Sequence, residues 1–282
     1  MDLDRSISEA IIQRKGASKE ANIPGEVQQL LCTGAIESVN LTEWLAVDHV
    51  MLLEHVLPEI DLEGHLPKLL MEIKETDSRR GMKAIRLIGQ RLYDYCENEN
   101  TPVVETEQFH RVANHRSDSV RCWAAYMASG DAQLSVDEAL SRIRRFAADP
   151  HFGVREIAWM AVRSHIDSNL SEAIAILTAW ATDDDANVRR FATEATRPRG
   201  VWTKHIEALK QSPWLALPLL EPLKSDSAKY VQDSVGNWLN DASKTNPEWV
   251  QELCDRWSAE SNTKATARIV SKSLRTLLKQ AL

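Results

Sequence analysis

Four polar and apolar side chains of one segment fall on the same face of a predicted helix, where they could act on a ligand together. A helix that begins at Val154 has its apolar stripe on one side and leaves the opposite side for function. The residues on that opposite side, at i, i+3, i+4 and i+7, are Glu156, Trp159, Met160 and Arg163. This face therefore combines a carboxylate, an indole ring and a guanidinium.

The same positions recur in the neighbouring repeats. One repeat later they are Arg190, Thr193, Glu194 and Arg197, and one repeat earlier they are Cys122, Ala125, Tyr126 and Ser129. Second helices that stack side by side would bring all of these positions onto a shared concave surface. Glu194 is the second carboxylate candidate on this surface.

Positive charge is concentrated in the same region. Between Ala186 and Ile206 there are five basic residues and one acid, a local balance of +4 in a chain whose net charge is −7. The five are Arg189, Arg190, Arg197, Arg199 and Lys204. A basic stripe on an acidic protein can still bind a polyanion.

The charged candidates also have structural interpretations. Arg155 and Arg189 are better explained as arginines that bridge neighbouring repeat turns than as phosphate ligands. Glu156 could equally form a surface salt bridge with Arg190, which would contribute little to stability. Both interpretations of Glu156 stay open at this stage.

The tryptophans divide into two groups. Trp159 lies off the apolar stripe, so an exposed ring is as well supported as a packed one. We expect Trp123, Trp180 and Trp238 in the core, although Trp123 lies close enough to the polar face to remain a candidate.

A repeat supplies the elements that position these residues. Val-Arg pairs begin at Val120, Val154 and Val188, 34 residues apart both times, and a looser copy begins at Val231, 43 residues further on. As in HEAT-type repeats, which these segments resemble, an Asp stands six residues before the Arg in the second and third copies. We expect the Asp to cap the following helix and the Arg to bridge to a neighbouring turn.

The remaining amphipathic patterns complete an all-α prediction. Helices are predicted over 41–56, 79–96, 136–147, 171–182 and 214–224, with two more after 245. The loops between them are short and polar, and no strand is predicted. The sequence thus predicts one domain over 1–282, an α-solenoid of about seven HEAT-like helix pairs.

Composition narrows the function classes. The four cysteines lie far apart and form no CxxC pair, so we expect reduced thiols and a cytoplasmic protein without a metal site. No signal region or membrane-spanning stretch is present, which predicts no contact with a membrane. The common nucleotide, dinucleotide, zincin and serine-hydrolase motifs are absent, so we expect no cofactor. A monomer is expected for a solenoid with two different ends.

Several segments resemble the AlkC branch of the DNA alkylation-repair proteins. The most specific are DPHFGVREIAWMAVR at 149–163 and WATDDDANVRRFATEATRPRGVW at 180–202. The N-terminal segments IIQRKGASKEANIPGEV and VNLTEWLAVDHVMLLEHVLP are similar to that branch too, so the resemblance covers roughly residues 7–280. Some members add a C-terminal immunoglobulin-like domain, and we expect the DNA contacts of that domain to be missing here or supplied in another way.

The resemblance implies a DNA glycosylase that removes cationic alkylated bases of the 3-methyladenine type from double-stranded DNA. It implies Glu156 as the carboxylate that stabilises an oxocarbenium-like transition state, with Trp159 and Trp123 as aromatic contacts. It also implies phosphate contacts from Arg163, Arg190, Arg197 and Arg199.

Two other functions remain open. The superfamily includes members that keep the fold without base excision, so the chain could bind branched or bent DNA without cleaving it. A HEAT-repeat scaffold for a protein partner is the other alternative, and the acidic net charge supports it.

Overall fold

The computed structural model describes residues 7–280, which fold into α-helices joined by short loops. The helices of the first half are α1 (Glu9–Ile12), α2 (Gly25–Cys32), α3 (Leu41–Ala46), α4 (His49–Glu59), α5 (Leu66–Glu75), α6 (Gly81–Cys96), α7 (Glu107–Ala113), α8 (Asp118–Ala128) and α9 (Val136–Ala147). Those of the second half are α10 (Phe152–Ala161), α11 (Arg163–Ser168), α12 (Leu170–Trp180), α13 (Ala186–Ala195), α14 (Glu207–Gln211), α15 (Leu217–Leu220), α16 (Lys229–Ala242), α17 (Pro247–Glu260), α18 (Lys264–Ser273) and α19 (Arg275–Gln280).

Short 3₁₀ segments complete the secondary structure. They span Glu20–Asn22, Glu63–His65, Val103–Glu105, Pro213–Ala216 and Glu221–Leu223. Residues 7–280 contain no β-strand, only an isolated bridge between Asn98 and Thr101. The all-α prediction is confirmed.

Backbone contacts divide the chain into two compact units. Among the described residues, the first comprises 7–131 and 151–157, and the second comprises 132–150 and 158–280. The boundary falls inside α10, so Glu156 belongs to the first unit and Trp159 to the second. The single domain over 1–282 stays a prediction.

The second unit shows the packing expected of a solenoid. Helices α9, α12 and α15 pack against one another as one row, and α13, α16 and α18 form another. Contacts of α12 with α13 and of α17 with α18 join the two rows. Each helix thus buries its apolar face against its neighbours in the row and its partner in the pair, as the repeat predicts.

The first unit is built around α6 and α8. These two helices approach closely at Gly89, where a Cβ would lie 2.5 Å from Cβ of Tyr126 and 2.7 Å from the carbonyl oxygen of Trp123. Helix α7 packs on α8, and α4, α5 and α6 pack in sequence. Only glycine allows this contact, which fixes the position of α8 and its tryptophan.

Arg189 follows the repeat prediction for a bridging arginine. Arg189 donates to the carbonyl of Asp183 at 2.8 Å and pairs with the Asp226 carboxylate, whose oxygen lies 2.7 Å from Nε. The expected cap is shifted, because Asp185 rather than Asp183 accepts from the first turn of α13. The looser copy keeps the pattern with a different residue type: Gln232 donates to the carbonyl of Asp226 at 2.7 Å.

Some predicted helix bounds are confirmed and others are wrong. The helix predicted over 136–147 is α9, whose Ser135 and Glu138 form a capping box. The helix predicted over 41–56 is instead two helices, because the side chain of Asp48 accepts from Val50 and starts α4 anew. The stretch 214–224 is divided into two 3₁₀ segments and the short α15, consistent with prolines at 218 and 222.

Candidate functional site

Glu156 lies in the first half of α10, and its side chain is partly exposed. The start of this helix is clamped against Trp44. A Cβ at Gly153 would lie 2.8 Å from the Trp44 ring, and Phe152 meets the same ring edge-on with centroids 5.9 Å apart. This packing holds the backbone that positions the Glu156 carboxylate.

A buried Ser-His-Asp cluster lies in the same unit. Ser38 Oγ donates to Asp118 at 2.8 Å, and His151 Nε2 lies 2.7 Å from the carbonyl oxygen of Ser38. His151 Nδ1 accepts from the backbone N–H of Gly153 at 3.1 Å, so Nε2 carries the proton and cannot act as a base toward Ser38. Burial raises the pKa of Asp118. The cluster joins the loop before α3 to the starts of α8 and α10, which is a structural role.

Trp123 is fully buried, as predicted for a core residue. Its Nε1 donates to Nδ1 of His49 at 3.2 Å. The other ring nitrogen of His49 therefore carries the proton of the neutral tautomer, and burial lowers the pKa of this histidine to about 4. The Trp123 ring thus connects α8 to α4 and does not present a face to solvent.

Trp159 is also buried, with only 2% of the residue exposed. The alternative that the Trp159 ring is exposed is therefore wrong. Helix α10 ends at Ala161 and α11 begins at Arg163, but Arg163 still lies beside Trp159, as the four-residue spacing predicted. Its guanidinium lies 5.9 Å from the centre of the Trp159 ring.

Arg163 is occupied by backbone carbonyls. Its guanidinium donates to the carbonyls of Ala195 at 2.9 Å, Arg197 at 2.6 Å and Lys204 at 3.2 Å, and the residue is 5% exposed. Burial lowers its pKa to about 10. The predicted phosphate contact is not available to this side chain, because its donors hold the end of α13 and the loop that follows.

Glu194 forms the centre of a buried ionic network. It is 3% exposed, accepts from Ser234 at 2.8 Å, and lies 3.3 Å from Arg197 and 3.6 Å from Arg190. Arg197 also pairs with Asp241 at 2.6 Å. Burial acts to lower the pKa of Arg197, but the two carboxylates outweigh it and the pKa is raised.

The network changes the expected roles of three residues. Arg190 and Arg197 are ion-paired, and the guanidinium of Arg190 also lies 4.3 Å from the centre of the Tyr230 ring. Neither arginine presents an uncompensated charge to solvent, contrary to the predicted phosphate contacts. The carboxylate of Glu194 is likewise engaged by its own neighbours.

Arg199 is the predicted phosphate ligand whose charge stays available. Its Nε donates to the carbonyl of Asp241 at 3.3 Å, and it forms no ion pair within residues 7–280. Lys204 is exposed and its ammonium has no hydrogen-bond partner among the described residues. The sequence pattern counted Lys204 as basic without singling it out, since no helical spacing places it on the predicted face.

The other predicted core tryptophans differ from each other. Trp238 is fully buried and donates to the carbonyl of Thr196 at 3.0 Å, as expected for a core residue. Trp180 is half-buried instead, with the guanidinium of Arg144 lying 5.9 Å from its ring centre. The half-buried ring is covered by a cation at the edge of the unit.

Residues 7–280 contain neither a cluster of metal-ligating side chains nor a membrane-spanning helix. No group of three or more His, Cys, Asp or Glu side chains in this range could hold a metal ion. None of its helices is long and apolar enough to cross a membrane.

Comparisons with known proteins point to one family. The family model for DNA alkylation repair enzymes matches residues 124–273. The uncharacterized protein YhaZ of Bacillus subtilis (strain 168) is 42% identical over 120 residues, which cover 43% of this chain and 33% of that protein. The chain thus spans about a third of this curated relative.

Two solved structures share the fold. The Pseudomonas fluorescens alkylpurine DNA glycosylase AlkC, bound to DNA containing an abasic site analog, matches with a TM-score of 0.69 and 26% identity. This match covers 82% of the present chain and 63% of AlkC. AlkD2 from Streptococcus mutans matches with a TM-score of 0.56 and 25% identity, over 69% of this chain and 89% of AlkD2.

Proposed function

The chain belongs to the DNA alkylation repair enzyme family, and from that premise we propose that it is a DNA glycosylase. Its substrates would be cationic alkylated purines, 3-methyladenine among them, in duplex DNA. The observation that carries this proposal is the similarity of 82% of the chain to an alkylpurine DNA glycosylase bound to DNA with an abasic site analog. An abasic site is the product of base removal.

The proposed reaction does not require the protein to protonate the leaving base. In an N3-alkylated purine the base already carries a positive charge, so the bond between C1′ and the base nitrogen breaks without prior protonation. The bonding electrons leave with the base, which departs neutral, and positive charge develops on the sugar. A carboxylate beside C1′ stabilises this charge, and a water molecule then adds to C1′ and loses its proton.

We assign the carboxylate to Glu156 rather than to Glu194. Glu194 is buried and paired with two arginines, so its charge is already balanced within the second unit. Glu156 keeps part of its side chain exposed on a helix whose start is fixed by Trp44. The proposed role needs access to the substrate, which favours Glu156.

The proposed phosphate ligands are Arg199 and Lys204. Both lack an ion pair among the described residues, so their charge can be balanced by DNA. Trp159 and Trp123 are buried in the free protein and support their helices from within. We therefore do not assign them to the substrate.

The direct test is release of a free base. Purified protein is incubated with duplex DNA treated with a methylating agent, and the supernatant is analysed for 3-methyladenine while the DNA is analysed for abasic sites. We expect both products in equal amount. If the protein binds DNA but never releases a base, the proposal is contradicted. That result would favour the alternative function, in which the chain binds DNA without excising a base.

A further inference from the structure

The loop between α13 and α14, residues 196–206, has a fixed base. The backbone N–H of Ile206 donates to the carbonyl of Pro198 at 3.1 Å, and Ile206 is fully buried. The two ends of the segment therefore meet at one place in the second unit, and its middle projects from the surface.

Arg163 donates hydrogen bonds to both ends of this loop. Its guanidinium donates to the carbonyl of Arg197 at the start of the loop and to that of Lys204 near its end. A Cβ at Gly200 would lie 3.1 Å from Nη2 of Arg163, so the loop packs directly on the guanidinium. Buried, charge-assisted donors of this kind hold a loop in one conformation.

The tip of the loop presents two apolar side chains to solvent. Val201 is 45% exposed and Trp202 is 57% exposed. Trp202 also has a φ of +60°, in the left-handed region that a bulky side chain rarely adopts. Strained backbone positions of this kind cluster at binding sites, and here the strained residue presents an indole ring to solvent.

Positive charges lie on both sides of this tip. Arg199 precedes it and Lys204 follows it, and neither forms an ion pair within residues 7–280. The sequence from 195 to 206 contains no acidic residue. An apolar tip between two cations matches duplex DNA, in which apolar base steps lie between two rows of phosphates.

We propose that this loop is a DNA wedge: Trp202 inserts at a base step of the bound duplex, and Arg199 and Lys204 bind the phosphates on either side. The proposal rests on the DNA-binding function proposed above and adds a DNA contact made by residues other than Glu156. Insertion would partly unstack the step and bend the duplex. The strain at Trp202 is then a property of the binding conformation, held in place by Arg163.

The test compares two exposed tryptophans of the second unit. Trp214 is 49% exposed and lies outside the loop, so Trp214→Ala is the matched control for Trp202→Ala. Binding is measured by fluorescence anisotropy on a duplex with an abasic site analog. We expect Trp202→Ala to weaken binding about tenfold, as for loss of one base-stacking contact, and Trp214→Ala to bind as wild type.

Insertion itself is read with 2-aminopurine placed at successive positions of the duplex. Unstacking by the wedge should increase its fluorescence at one step with wild type and with Trp202→Phe, but not with Trp202→Ala. Trp202→Gly, which suits a φ of +60°, should keep the wild-type Tm or exceed it while binding as weakly as Trp202→Ala. This pair of results separates lost contact from lost folding.

Three results would overturn the wedge. If wild type binds DNA and Trp202→Ala binds equally well with an unchanged 2-aminopurine signal, the wedge fails while the DNA-binding function stands. A dimer that Trp202→Ala abolishes, with unaltered DNA affinity, would mean that a second copy covers the loop. Wild type that neither binds duplex DNA nor releases a base would overturn the wedge together with the proposed function.

Discussion

At the residue scale, Arg163 and Arg199 have the same side chain and opposite surroundings. Arg163 is buried beneath a loop and donates to three carbonyls, whereas Arg199 donates once to a carbonyl and is partly exposed. A guanidinium has five N–H donors, and its ability to bind phosphate depends on how many are already engaged. The structure therefore predicts different consequences for the same substitution at the two positions.

Arg163→Ala is expected to lower the free energy of unfolding by about 2–4 kcal/mol, because it leaves buried carbonyls without donors. Arg199→Ala is expected to change it by less than about 0.5 kcal/mol and to reduce the slope of log Kd against log salt for duplex DNA by about one. Urea denaturation and anisotropy titrations at several salt concentrations measure the two quantities. An Arg163→Ala variant of normal stability with a reduced salt slope would restore Arg163 as a phosphate ligand.

The sequence pattern identified the arginines but not their partners. Helical spacing places Arg163 on the face of Glu156, yet its acceptors lie 32 to 41 residues away, at the end of α13 and in the loop that follows it. Asp241, which neutralises Arg197, lies 44 residues away. Such partners are set by tertiary packing, so the basic stripe could be predicted and its neutralisation could not.

At the scale of elements, α4 and α8 meet through one hydrogen bond between buried rings. Trp123 of α8 donates to His49 at the start of α4, and burial lowers the pKa of His49 from 6.5 to about 4. Between about pH 4 and pH 6.5, His49 therefore binds a proton more readily in the unfolded chain than in the folded chain. Stability from the neutral ring is fully present above about pH 6.5 and is lost as pH falls toward 4.

This linkage predicts a pH-dependent loss of stability. The shift corresponds to about 3 kcal/mol at most between pH 7 and pH 4. His49→Gln, whose amide oxygen can accept from Trp123, should remove most of that dependence, while the exposed His205→Gln should keep it. Urea denaturation at pH 7, 5.5 and 4.5 measures it, and equal pH dependence of wild type and His49→Gln would contradict the assignment.

Helix bounds were predictable where local signals agreed with the repeat. Ser135 and Glu138 start α9 where the pattern predicted, and Arg189 bridges to the next repeat turn. The prediction over 41–56 missed a break, since Asp48 caps a new helix there and also pairs with Arg79 at 2.6 Å. The local sequence pattern gives no signal for the ion pair that Asp48 forms with the distant Arg79.

At the scale of the whole molecule, net charge and local charge lead to different expectations. The chain carries −7, yet residues 186–206 carry +4. Ion pairs of Arg189, Arg190 and Arg197 with neighbouring carboxylates neutralise most of this excess within the second unit. What remains available is concentrated at Arg199 and Lys204, on the loop that carries Trp202.

Our central proposal is that the carboxylate of Glu156 supports base excision. It is based on family membership and on the position of this residue. Glu156→Gln keeps the size of the side chain and removes its charge, so DNA binding should be retained. The loss of transition-state stabilisation should lower the rate of excision by roughly two to three orders of magnitude. Glu172→Gln, an exposed residue of α12, is the matched control and should leave the rate unchanged.

The most direct measurement is the single-turnover rate of 3-methyladenine release from methylated duplex DNA, with enzyme in excess over lesions. Wild type and Glu172→Gln are expected to release the base at the same rate, and Glu156→Gln is expected to bind the duplex with wild-type affinity while releasing it at least a hundredfold more slowly. Equal rates for wild type and Glu156→Gln would contradict the account, because excision would then not depend on this carboxylate.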